Sequence, residues 1–161
     1  MYRQGFSITE ILVAVAVVGV TIGIAIPLWQ AAELRKQVDN GLAQAEGRLV
    51  DVAHFYRDRG RLPRHSGELG LVERVNDHAV EYLSWRRSSE DPERVGYLDV
   101  QMTLQPLGAG MTPIALEARV ADGQLRWRCV SARRLGVAPD LSLSDFYLPS
   151  RCRQGGESTG P

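Results

Sequence analysis

The residues predict an α+β chain, with a long N-terminal helix packed on a C-terminal antiparallel sheet. Three observations carry this. An apolar run extends from Ile11 to Trp29, and nothing charged lies between Arg3 and Glu33 except Glu10. From Leu34 to Tyr56 apolar residues return at steps of three or four, the period of one helix face. From Gly96 onward the period switches to two, the signature of half-buried strands.

The apolar run holds about 19 residues, which at ~1.5 Å each cover roughly 28 Å, close to the ~30 Å hydrocarbon core of a bilayer. It is long enough to cross a membrane as one helix. Glu10 sits at its N-terminal edge, where a carboxylate costs a few kcal/mol on insertion scales unless it has a partner. A cation at a helix N-terminus would serve. Cutting between Gly5 and Phe6 would create one, an α-amino group at Phe6, four residues from the acid.

The stretch Gly5-Phe6-Ser7-Ile8-Thr9-Glu10, after a short polar leader and before the apolar run, resembles the class III signal of type IV pilins. The resemblance implies that a prepilin peptidase cuts after Gly5 and methylates the new Phe6 amine. It makes Glu10 the acid that guides assembly, and Gly19 and Pro27 the helix-softening positions. The leader departs from the family in lacking a Lys beside the Gly, keeping Arg3 as its positive charge. An ordinary secretory signal has a shorter apolar core and an A-x-A-like cut site, and here the acid precedes the core. A plain anchor for an unrelated domain would leave Glu10 without a reason. Gly19-x-x-x-Gly23 also matches a helix-packing motif, a weak signal among so many small residues.

Beyond Trp29, the residues Leu34, Val38, Leu42, Ala45, Leu49, Val52 and Tyr56 form one stripe, with charged residues on the other face. Arg59-Gly60 and then Leu62-Pro63 end it, a Gly suited to the left-handed cap and a Pro that cannot continue. The expectation is one helix from about Phe6 to Arg59, roughly 80 Å long at ~1.5 Å per residue. Its transmembrane half covers residues 6–29 and its amphipathic half 30–59. Residues 60–94 read as a long connection with one short helix, in which Tyr82 to Trp85 could be extended.

From Gly96, Leu98, Val100, Met102 and Leu104 alternate with polar residues. After a loop with Pro106, Gly108 and Gly110, a second alternation runs through Ile114, Leu116, Ala118 and Val120. Asp122-Gly123 is a strong two-residue hairpin signal. A third strand then puts Leu125, Trp127 and Cys129 on one face and Arg126 and Arg128 on the other. Three strands with one apolar face each need a cover, and the helix stripe is the one available.

The third strand carries a second resemblance. Trp127-Arg128-Cys129 and Pro149-Ser150-Arg151-Cys152 resemble the W-x-C and P-x-x-C ends of the disulfide-bonded loop in type IVa pilins. This implies a Cys129–Cys152 bridge, which agrees with the tendency of paired cysteines in an exported domain to be oxidised. The family's ladle shape is then expected, with a leader at 1–5 and a globular head at 60–161.

Composition narrows the rest. The chain has 161 residues, 19 basic and 19 acidic, for a net charge of zero, so no global field favours a polyanion. Arg126, Arg128, Arg133, Arg134, Arg151 and Arg153 give the C-terminal part a local positive excess. They could meet DNA phosphates, but a solvated face that discourages edge pairing explains them as well. His54, His65 and His78 show no metal-ligand spacing, and no P-loop, nucleophile elbow or dinucleotide turn occurs. No enzyme, metal or cofactor is expected. Residues 155–161 read as a tail, with Ser158 and Thr159 as the hydroxyls a glycan would use.

The function the resemblance implies is that of a structural pilin, a major subunit made as an inner-membrane precursor and polymerised with identical copies into an extracellular filament. The partners implied are prepilin peptidase and the pilus assembly machinery. A minor pilin or a type II secretion pseudopilin is the alternative within the class. A membrane-anchored monomeric binding module is the alternative outside it, and in that case Glu10 should be dispensable.

Overall fold

A computed structural model describes residues 7–71, 80–153 and 157–158. By its internal contacts the chain forms two compact units, Met1–Glu33 and Leu34–Pro161.

Helix α1 runs Ile8–Glu46 and α2 runs Leu49–Arg59. The long helical path expected from the sequence is present, and it is tightened locally at Gly47–Arg48. There the Arg48 N–H donates back three residues to the Ala45 carbonyl at 3.0 Å, and Asp51 N–H does the same to Arg48 at 3.2 Å. Glycine is costly in a helix interior, so the lapse falls where propensity is lowest. Gly60 ends α2 at φ 65°, its N–H donating to the Tyr56 carbonyl at 2.8 Å, the left-handed cap that glycine adopts without strain.

In the second unit the stripe is buried as its spacing demands. Leu34, Val38, Leu42, Ala45, Leu49 and Val52 enter one core with Leu98, Val100, Met102, Leu104, Ile114, Leu116, Ala118 and Trp127 of the sheet. Each large side chain removed from water in this way contributes on the order of 1.5–3 kcal/mol. The helix comes close to the sheet at Gly41, where any Cβ would run into the Met102 side chain.

The sheet is antiparallel and its strands lie in chain order: β1 Val80–Arg87, β2 Val95–Leu104, β3 Gly108–Ala121, β4 Gln124–Ser131 and the two-residue β5 Glu157–Ser158. Three strands are expected from sequence, so β1 and β5 correct that count. Strand β1 falls in the stretch read as a connection. A register shift between Val80 and Tyr82 puts buried residues at Val80, Leu83 and Trp85, a spacing that breaks the two-residue period. Strand β5 pairs Ser158 with Trp127 and Glu157 with Arg128, within the stretch expected to be a tail. Strand β3 begins at Gly108, earlier than the alternation suggests. Between α2 and β1 the described residues include a 3-10 turn at Ser66–Leu69. Trp85 anchors it, donating from Nε1 to the Pro63 carbonyl at 2.8 Å and from its backbone N–H to Ser66 Oγ at 2.7 Å. Residues 72–79 lie outside the described residues.

Strand β3 has neighbours on both sides and is buried on both faces. Glu117 therefore sits 1 % exposed on the side away from the helix. Arg128 Nη2 reaches one of its oxygens at 2.8 Å and Arg119 Nη2 the other at 3.1 Å, so the buried charge is paired twice.

Candidate assembly helix and disulfide-bounded loop

The first turn of α1 is built by Ser7. Its carbonyl accepts from the N–H groups of Glu10 at 3.0 Å and Ile11 at 3.2 Å, and its hydroxyl bonds Thr9 Oγ1 at 2.8 Å. Glu10 lies in that turn, exposed, and no hydrogen bond or ion pair to its side chain occurs among the described residues. The positive end of the helix dipole favours an acid there. Between Ile8 and Trp29 the large apolar side chains that are described are exposed all round the helix, so this surface has no partner within the described residues. Gly19 lies inside α1 with nothing within 4 Å of where a Cβ would stand, and Pro27 lies within the same helix. Gly5 and Phe6 fall outside the described residues, as do His78 and Thr159.

At the other end of the chain, Cys129 on β4 and Cys152 in the short helix α3 (Ser150–Arg153) form a buried disulfide. The loop between them seats Leu143 and Leu148 in the core. Arginines fix its remaining contacts. Arg35 on α1 donates to the Phe146 carbonyl at 3.1 and 2.8 Å and stacks on the Phe146 ring at 4.8 Å. Arg151 reaches back to Glu46 at 3.0 Å and Asp39 at 3.4 Å on α1. Arg134 pairs with Asp145 at 2.7 Å, and Arg153 Nε donates to the Leu148 carbonyl at 2.7 Å. The C-terminal arginines that sequence offered for phosphate contact are thus largely spent on holding this loop and Glu117.

Sequence reasoning missed the staple on the connection after α2. Glu68 accepts from both terminal nitrogens of Arg61, at 2.9 and 3.0 Å, and from the Arg64 backbone N–H at 2.7 Å. The Arg61 bonds, with the Arg64 amide, hold the Glu68 carboxyl at about 2, well below its ordinary value. No local motif announces a pair seven residues apart across a bend. Among the described residues, no group of three or more His, Cys, Asp or Glu side chains is placed to hold a metal ion.

No protein-family model matches the chain. Among curated proteins, the fimbrial protein EcpC of Eikenella corrodens is 24% identical, covering 98% of this chain and 95% of that protein. A type IV major pilin, PilE1, of Neisseria gonorrhoeae is 24% identical over 94% of each chain. A fimbrial protein of Neisseria meningitidis serogroup A is 29% identical, again over 94% of each. The homologues of this chain, matched over nearly its whole length, are type IV major pilins and fimbrial proteins.

Proposed function

We propose that the chain is a structural subunit of a type IV pilus, whose biochemical work is self-association through α1. The observation that carries this reading is a helix segment with exposed apolar side chains all round, and in its first turn one acid with no partner among the described residues. Such a surface requires either lipid or other copies of itself. Both fit a subunit stored in the inner membrane and then drawn into an extracellular filament.

The finer steps belong to the same reading. Prepilin peptidase would cut after Gly5, and Phe6 would carry the N-methylated amine. When helices bundle and water is excluded, a lone carboxylate among apolar side chains becomes costly. Pairing Glu10 with the Phe6 amine of a neighbouring subunit relieves both charges. That requirement also fixes axial register, because a helix slipped by one turn, about 5.4 Å, buries both charges alone. Gly19 and Pro27 would let the helix adapt to the bundle, and the pilus assembly machinery would supply the subunits.

Glu10→Gln keeps shape and hydrogen bonding and removes the charge that demands a partner. The expected outcome is normal membrane insertion and head folding, with filaments absent or scarce by electron microscopy. In cells that also make the wild-type subunit, the variant should be excluded. Abundant regular filaments of Glu10→Gln alone would contradict this role for the acid.

A further inference from the structure

Among the described residues from Leu34 onward, the large apolar side chains left exposed are Val50, Leu107 at 48%, Leu141 at 45% and Phe146 at 54%. The last three share one end of the sheet. Leu107 is in the β2–β3 turn, and Leu141 presents its carbonyl to the Thr112 N–H, near the start of β3, at 2.6 Å. Two contacts place this end against the first residues of the unit. Gln37 bonds the backbone of Gln105 in both directions, at 2.9 and 3.4 Å, and Arg35 holds the Phe146 carbonyl. Residues 35 and 37 point about 200° apart around a helix, so the Leu107 turn and Phe146 flank α1 on opposite sides. Lys36, the only lysine of the chain, is exposed between them. Val50, the fourth, lies away from these three, in a groove of α2 and β4 that it lines with Leu49, Ala53, Gln124 and Leu125.

We infer that Leu107, Leu141 and Phe146 form a membrane-contacting face, which enters the interfacial layer of the bilayer while the subunit is stored. The inference rests on the reading that the apolar part of α1 lies in a membrane. In sequence, Arg35 follows Trp29 by only six residues, so the chain that anchors this face is separated from the end of the apolar run by a short stretch alone. Aromatic and aliphatic side chains are favoured at that depth, and Lys36 and Arg35 offer cations to lipid phosphates. A monomer's exposed apolar residues are normally scattered singly, whereas three of four here gather at the end where the chain enters.

The test is methyl NMR on the full chain in nanodiscs of phosphatidylethanolamine and phosphatidylglycerol, doped with a gadolinium-chelate headgroup lipid. The Leu107 and Leu141 methyls should relax several-fold faster than those of Val50. The double variant Leu107→Ser with Phe146→Ser should reduce the effect at Leu141. A water-soluble gadolinium chelate reports the underlying reading separately, because Val13 and Val17 must be shielded from it if α1 is inserted. Shielded Val13 and Val17 with Leu107 and Leu141 relaxing like Val50 would overturn the inference alone. Unshielded Val13 and Val17 would overturn the insertion reading and this inference with it. An effect that grows with the protein-to-lipid ratio would mean that a second copy, not lipid, covers the face.

Discussion

Two leucines on one helical path separate the two environments of α1. Leu42 is 0 % exposed in the core beneath the sheet, and Leu12 is 63 % exposed in the apolar segment. Truncating either to alanine removes the same atoms. At Leu42 the loss is roughly 2.4 kcal/mol of transfer free energy, at ~0.8 kcal/mol per methylene for about three, plus a cavity contribution. A total of about 3–4 kcal/mol is expected, because Val38, Met102 and the other 0 %-exposed neighbours leave little room for collapse. For a unit of this size that lowers Tm by on the order of 10 °C. Leu12→Ala should leave the head's Tm within about 1 °C, since that side chain touches solvent or detergent rather than the core. The assay is near-ultraviolet circular dichroism of the full chain in detergent, where the buried Trp85 and Trp127 report head packing. Equal shifts for the two variants, or a negligible shift for Leu42→Ala, would refute the assignment of the stripe as the sheet's cover.

Two further outcomes concern the head. Replacing Cys129 and Cys152 with Ser opens a loop of sequence separation 23 and should cost roughly 3 kcal/mol on the chain-entropy view, read from urea unfolding. A loss below about 1 kcal/mol would mean that the arginine contacts to α1 hold the loop unaided. Glu68 titrates at about 2 in the folded state, below its ordinary 4.5, so its contribution to stability is fully present above about 4.5. That contribution is lost as pH falls toward 2. Glu68→Gln should flatten the pH dependence of stability between those values, and an unchanged profile would show that the staple contributes nothing.

The parts legible in the sequence are those set by period and length. The stripe from Leu34 to Tyr56 and the alternation from Leu98 to Leu104 each describe one buried face, and the structure buries both. Strand β1 was legible only in part, at Tyr82–Trp85, because its bulge between Val80 and Tyr82 replaces the two-residue period with a spacing of three. The burial of Glu117 is not legible in the sequence, because alternation reports which face a residue occupies and not what covers it. Its burial depends on Arg128 and Arg119 closing over it from neighbouring positions. The Glu68 staple and the arginine contacts of the disulfide loop are long-range pairings. Side-chain reach across a fold decides them, and no local pattern encodes that.

The central claim, that this chain polymerises into a pilus, is tested most directly by electron microscopy of cells with and without its gene, together with mass spectrometry of purified filaments. The account predicts thin filaments that disappear on deletion and return on complementation. Their principal protein should begin at an N-methylated Phe6. Filaments that persist unchanged without the gene, or a subunit that retains Met1, would contradict it.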